Sequence, residues 1–211
     1  KAKGKGGWVE TGDPSRHIAP LLDVWQPPKA WKAGAHAKHL RNLYVYFWRW
    51  ASWKVWDHGP GAKTGIVCFI TVSGFLAGPG FQRMRAWLRE TCDDLWVVDC
   101  TPEGHQPDVS TRIFQGVQQP VCIVLASRSA KTENATPARV RFRALPQGHR
   151  SEKFEALKKI DLHGEGWIDG PHDWRAPFLP ESTGAWATYP KLEDLFDYDG
   201  SGCQPKRTWV I

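Results

Sequence analysis

The chain has 211 residues and a mass of 23.9 kDa, enough for one large domain or two small ones with a substantial core. Apolar residues are 41% and charged residues 24%, which excludes wholesale disorder. A net charge of +6 is compatible with a polyanionic partner without singling one out, and thirteen tryptophans supply rigid surfaces for a core or for stacking on flat ligands.

Residues 1–39 begin with the basic, flexible Lys1-Ala-Lys-Gly-Lys-Gly-Gly7 and carry Pro27-Pro28, so they read as irregular. From Leu40 to Trp56 no breaker intervenes, which predicts a helix closed by His58-Gly59-Pro60-Gly61. Leu43, Phe47 and Trp50 share one face, with Tyr44, Trp48, Ala51 and Val55 beside it. Only a narrow stripe around Arg41 and Arg49 is polar, which predicts a helix buried on most sides. Gly65 to Val72 is a short apolar run, too short to span a bilayer, and reads as a buried strand. A second helix follows over about 80–92, with Phe81, Met84 and Leu88 inward and Arg83, Arg85, Arg89 and Glu90 outward.

Leu95–Asp99 and Val121–Ala126 read as two more buried strands, joined by a connection of about twenty residues that should be functional or mobile. The element order, together with a family resemblance carried by the same stretches, predicts one sheet for the strands near 65–72, 94–99 and 121–126, with the last antiparallel between the other two. Ala138 to Leu145 alternates: Val140, Phe142 and Ala144 face one way, Arg139, Arg141 and Arg143 the other. Lys153–Ile160 reads as a short helix, and the remainder is rich in Gly, Pro and Trp with weak periodicity.

Cysteines at 68, 92, 100, 122 and 203 form no CxxC pair and read as reduced, buried thiols of a cytoplasmic protein. His36 and His39 are three apart but lack a third ligand, so no metal site is expected. Gly59-Pro-Gly-Ala-Lys-Thr-Gly65 has Ala62 where a phosphate-binding loop needs glycine, and a strand rather than a helix follows it. No GxSxG elbow supports a hydrolytic triad.

Four stretches carry a resemblance. They are Asn42-Leu-Tyr-Val-Tyr-Phe-Trp-Arg-Trp-Ala51, Gly65–Thr71 with Gly74-Phe-Leu76, Phe81-Gln-Arg-Met-Arg85, and Thr111–Leu125. In this order they resemble the second half of the catalytic domain of adenine-specific DNA methyltransferases. More narrowly, the chain resembles the methyltransferase region of bacterial type ISP restriction-modification enzymes. The closer likeness rests on Phe142-Arg-Ala-Leu145, Glu152-Lys-Phe154, Trp174-Arg-Ala-Pro-Phe178, Trp186-Ala-Thr-Tyr-Pro190, Leu195-Phe196 and Arg207-Thr-Trp-Val210. The resemblance implies an α/β fold: the distal half of a Rossmann-like methyltransferase sheet followed by a Trp/Pro-rich, mostly irregular or β segment. Residues 1–130 would be the truncated catalytic half, and 131–211 a connecting strand and the start of a target-recognition region.

The departures from the family matter as much. Its Gly-rich turn for S-adenosylmethionine and its Asn/Asp-Pro-Pro-aromatic tetrapeptide are both missing; Gln26-Pro27-Pro28-Lys29 lacks the carboxamide and the aromatic. Lys1 and the apolar end Trp209-Val-Ile211 also read as cuts, so the expectation is a piece that alone neither binds the cofactor nor methylates. A methyltransferase extrudes its target base and stacks it on an aromatic face. Phe114, in Arg112-Ile-Phe-Gln-Gly116, matches the family position that supplies one such face. Asn42 and Tyr44 match the approach to the cofactor, and Thr71 and Ser73 end the strand whose carboxyl end faces the site. Arg112, Arg139, Arg141 and Arg143 are candidates for DNA phosphates.

The implied partners are double-stranded DNA and the missing N-terminal part of the same polypeptide, with no membrane and a cytoplasmic location. Two rival readings are a non-catalytic, basic, Trp-rich nucleic-acid-binding module and a remnant that needs the missing half to fold.

Overall fold

The computed structural model describes residues 4–61, 63–104, 112–129, 134–181 and 188–190. The chain divides into two compact units, Lys1–Pro180 and Glu181–Ile211, and all named elements belong to the first. The expected boundary at 130/131 does not separate compact units, because the strand beyond it joins the same sheet as those before it.

The N-terminal segment is a short helix α1, Trp8–Thr11, followed by 3-10 turns at Pro14–Arg16, Leu21–Trp25, Lys29–Trp31 and Gly34–Arg41. Prolines and glycines keep it from longer helices, yet Leu21, Leu22 and Trp25 are buried in the main core. Helix α2, Leu43–Ser52, starts after the extended Asn42 and runs into a π turn at Trp53–Asp57.

Its buried side is not the one its sequence suggests. Leu43, Phe47 and Trp50 are exposed, Phe47 by 60%. Arg49 is buried instead, because the Leu21–Trp25 turn packs on its side. Its guanidinium donates to the Leu21 carbonyl at 2.9 Å, pairs with Asp57 at 3.3 Å and lies over the rings of Trp25 and Trp87. The expected burial of α2 on most sides is therefore corrected.

Strands β1 (Gly65–Val72), β2 (Asp94–Asp99), β3 (Val121–Arg128), β4 (Arg139–Ala144) and β5 (Ile168–Asp169) form one sheet in the order β1-β3-β2-β4-β5. β3 runs antiparallel between β1 and β2, as expected from the element order together with the family resemblance, and β4 is parallel to β2. Cross-strand partners share a face. Val67, Val124, Val97 and Phe142 therefore line the inner face, where α2 and α3 (Gln82–Thr91) close the main core with Phe75 and Phe178. Val98, Cys100, Val121 and Leu145 form a smaller cluster against α4 (Arg150–Lys158) and the residues after it. Gly80 lets the turn before α3 meet the Gly34–Arg41 turn, since a Cβ there would lie 2.1 Å from the His36 carbonyl oxygen.

Two further expectations are corrected. Arg85 and Arg89 do not face water: both are buried, because residues 171–178 cross α3 and offer backbone carbonyls as acceptors. β1 is half open, with Ile66 at 61% and Ile70 at 54% exposure, because nothing described covers its outer side. Cys68 shares that exposure, whereas Cys92, Cys100 and Cys122 are buried free thiols; Cys203 lies outside the described residues. Among the described residues no helix is long and apolar enough to cross a membrane.

Candidate functional site at the carboxyl end of the sheet

β1, β2 and β4 run parallel, so their carboxyl ends lie at one edge of the sheet, where β3 begins. Open α/β sheets present their ligands beyond such ends. Thr71 sits at the end of β1 opposite Cys122. Its hydroxyl is buried and makes no hydrogen bond among the described residues, which costs about 1–3 kcal/mol if nothing fills the need. Ser73 donates both its N–H, at 3.0 Å, and its hydroxyl, at 3.3 Å, to the Pro120 carbonyl, tying the exit of β1 to the entry of β3. Tyr44 reaches the same region. Its ring centroid lies 6.4 Å from Phe75 and 6.3 Å from Phe81, in the two turns that follow β1. Burial pushes its hydroxyl well above the ordinary range against a hydrogen bond with Asn42, and the Cys122 thiol adds to the rise. Asn42 and Tyr44 thus pair with each other near Cys122, while Thr71 and Ser73 mark the end of β1.

Phe114 belongs to the same end of the sheet. Ile113 anchors it in the small cluster beside Cys100, Val121 and Leu145. The Val117 N–H donates to its carbonyl at 3.3 Å, and Gly116 supplies the left-handed residue (φ 77°) that closes the turn. The ring is 39% exposed: anchored through its neighbour and open on one side. Arg112 donates to the Gly104 carbonyl at 2.9 Å, while its second amino group is buried without a hydrogen bond among the described residues. Residues 105–111 lie outside the described residues.

The arginine stripe on β4 is engaged within the chain. Arg139 makes a two-pronged pair with Asp169 at 2.7 and 2.9 Å. Arg141 pairs with Asp94 at 2.5 Å and lies over the Trp96 ring, and Arg143 donates to the Glu165 carbonyl. Each of these guanidiniums has an acceptor within the chain, and none stands as an unpaired phosphate ligand.

A buried pair missing from the sequence reading holds the loop after β2. Lys153 is fully buried on α4; its ammonium donates to the Cys100 carbonyl at 2.9 Å and to Glu103 at 2.8 Å. Glu103 also accepts from the Gly148 N–H at 3.1 Å. Burial acts to raise the Glu103 carboxyl, and the Lys153 and backbone hydrogen bonds outweigh it, so it lies below the usual range. Asp99 goes the other way: burial raises it despite the Thr101 N–H. Lys153 stands in a helix, Arg150–Lys158, whose composition looks solvent-facing, and nothing in its spacing marks it as a core residue.

His36 and His39 stack at 6.3 Å between centroids, and no group of three or more potential metal ligands occurs among the described residues.

Solved structures share this architecture. The chain matches an ATP-dependent type ISP restriction-modification enzyme, LlaBIII, bound to DNA, with a TM-score of 0.56 and 19% identity over 74% of this chain and 10% of that one. A DrdV–DNA complex gives 0.53 and 20% identity, covering 70% of this chain and 14% of that one. A nuclease-deletion mutant of the type ISP enzyme LlaGI, with a DNA substrate mimic, gives 0.54 and 15% identity, covering 74% and 15%. At these identities the likeness shows the fold, and the chain spans a small part of each of these proteins. No family model matches the sequence. No curated protein matches it either.

Proposed function

We propose that the chain is the distal part of the adenine-methyltransferase region of a restriction-modification enzyme, acting on double-stranded DNA. The supporting observation is one edge of the sheet. There an antiparallel β3 between parallel β1 and β2 gathers Thr71, Ser73 and Tyr44, and a part-exposed Phe114 stands on a turn anchored by Ile113. In this reading Phe114 stacks on the extruded adenine, a contact worth about 1–3 kcal/mol. The unpartnered Thr71 hydroxyl offers a hydrogen bond at the base of the same edge.

S-adenosylmethionine finds no complete cradle among the described residues. The Tyr44 hydroxyl is occupied by Asn42 and largely buried, and the sequence lacks the Gly-rich turn that the family places after its first strand. The cofactor and the amine-binding motif belong, in this proposal, to another part of the same polypeptide, which is the chain's second partner. The location that follows is the cytoplasm, where such enzymes meet DNA. The stripe of Arg139, Arg141 and Arg143 is not assigned to DNA, because each guanidinium already has an acceptor. The same observation weighs against the rival reading of a simple basic binding module.

The test is a duplex carrying 2-aminopurine at the target position, mixed with the reassembled methyltransferase region. Wild-type Phe114 should give a fluorescence change on extrusion that is quenched by stacking, and Phe114→Ala should weaken binding by about 1–3 kcal/mol. A Phe114→Ala protein that binds and reports as wild type removes the stacking role.

A further inference from the structure

The turn that carries Phe114 is fastened to the loop that follows β2. The Arg112 guanidinium donates to the Gly104 carbonyl at 2.9 Å, joining residue 112 to the far end of that loop. The Gly104 N–H donates in turn to the Thr101 carbonyl at 3.0 Å. At the entry to β3, the Thr101 hydroxyl accepts the Val121 N–H at 3.2 Å, and the Cys100 N–H donates to the Val121 carbonyl at 3.1 Å. Residues 100–104 therefore hold the chain both before Phe114 and after it.

What holds residues 100–104 is α4. Lys153 has no exposed surface, and its ammonium donates to the Cys100 carbonyl at 2.9 Å and to Glu103 at 2.8 Å. The other Glu103 oxygen accepts the Gly148 N–H at 3.1 Å, one residue before the His149 that caps α4. The helix reaches the same stretch from its apolar side. Ala156 and Leu157 pack on the cluster of Cys100, Val121, Leu145 and Ile113, and Ile113 is the residue next to Phe114. A helix that had only to cover this end of the sheet would do so with an apolar side chain at 153. Burying an ammonium is costly, and a buried ion pair exchanged for apolar groups of similar volume often loses no stability. What the ammonium adds is direction, since its hydrogen bonds admit a narrow range of distances and angles.

We infer that Lys153 is a positioning residue for Phe114. By holding Cys100 and Glu103 it sets the loop to which the Arg112–Phe114 turn is joined, so the aromatic face takes its place from α4 as well as from the sheet. A displacement of α4 is thereby passed to the stacking face. The functional half of this inference rests on the stacking role proposed above for Phe114; the fastening does not.

The experiment separates position from stability. Lys153→Met strands the Glu103 carboxylate and should lower the urea midpoint. Lys153→Met with Glu103→Gln removes both charges, keeps an acceptor for the Gly148 N–H, and should recover most of that loss. The fastening is still absent from this neutral pair. Amide exchange on the full chain should then show the N–H groups of Val117, bonded to the Phe114 carbonyl, and of Val121 exchanging at least about tenfold faster than in wild type, with Val97 and Val124 in the sheet unchanged. The neutral pair is also placed in the reassembled methyltransferase region with a 2-aminopurine duplex, beside Phe114→Ala as control. It should lose most of the stacking quench, while binding to a duplex without the target stays within about twofold of wild type. Wild-type exchange at Val117 and Val121, or a wild-type quench where Phe114→Ala loses it, would overturn the inference. A neutral pair that fails to fold would also overturn it, since the ammonium would then serve stability. Faster exchange beside a Phe114→Ala control that quenches as wild type would leave the fastening standing and remove the stacking reading.

Discussion

Arg89→Ala tests the reading of the 171–178 segment as a strap fastened by buried guanidiniums. The side chain has no exposed surface. It donates to the carbonyls of Ala176 at 2.7 Å, Pro177 at 3.0 Å, Pro171 at 3.3 Å and Trp174 at 3.5 Å, and lies 4.6 Å from the Phe178 ring centroid. Burial pulls its pKa down to about 10, so it stays charged at neutral pH. Each hydrogen bond to a charged donor contributes about 1.5–3 kcal/mol, but burying the guanidinium costs several, so the four do not add. Truncation leaves buried carbonyls unpartnered and should cost about 3–5 kcal/mol. Arg89→Lys keeps the charge without the fork and should cost about 1–3 kcal/mol. Urea unfolding followed by tryptophan fluorescence measures the loss. Amide exchange locates it, because the Phe178 N–H, which donates to the Leu76 carbonyl at 2.7 Å, should lose protection before the sheet does. A loss under about 1 kcal/mol with Phe178 still protected would refute the strap.

Four further predictions follow from the same contacts. Phe114→Ala should change stability by less than about 1 kcal/mol, because its ring is part exposed; a loss of about 3–5 kcal/mol in urea would mark it as core. Replacing Arg139, Arg141 and Arg143 with Gln should leave the log–log salt slope of DNA binding within about 1 of wild type, whereas a fall of roughly 2–3 would show phosphate contacts. Lys153→Met should destabilise by about 3–5 kcal/mol, since it strands Glu103 and the Cys100 carbonyl, and equilibrium unfolding reads this directly. The Glu103 carboxyl is depressed on folding, so its contribution is complete above its ordinary value and is lost as pH falls through the lowered one. Glu103→Gln should flatten that acid limb. The raised Asp99 acts in the opposite sense, and its cost should disappear as pH falls through the raised value, visible in stability measured from about pH 6 to about pH 3.

The strands were legible because they announce themselves by β-branched apolar runs, whereas the antiparallel place of β3 between β1 and β2 rested on the family resemblance as well as on element order. The alternation at 139–144 placed Val140 and Phe142 inward because period two admits one solution, while Ala144, on the same side at the strand's end, is exposed. The buried arginines were not legible. Arg49, Arg85 and Arg89 occupy helical positions that composition assigns to water, and their acceptors are carbonyls from irregular segments far along the chain. Such partners leave no periodic trace. The exposed faces failed for a related reason. Leu43, Phe47, Ile66 and Ile70 are apolar and so read as core, but burial depends on whether an opposing element is present. At the site, Asn42, Tyr44, Thr71 and Ser73 come from a resemblance; the fold pairs Asn42 with Tyr44 and places Thr71 and Ser73 at the end of β1, and their roles rest on the proposal. The Lys153–Glu103 pair that holds the neighbouring loop came only from coordinates.

The proposed role, one part of a DNA adenine methyltransferase, is tested most directly by adding the remaining part of such a methyltransferase region, as a separate polypeptide, to the chain with duplex DNA and radiolabelled S-adenosylmethionine, and counting methyl groups on adenine. Transfer is expected when both polypeptides are present, with none from this chain alone and no cofactor binding by this chain alone in calorimetry. Absence of transfer from a well-formed complex, or micromolar cofactor binding by the isolated chain, would contradict it.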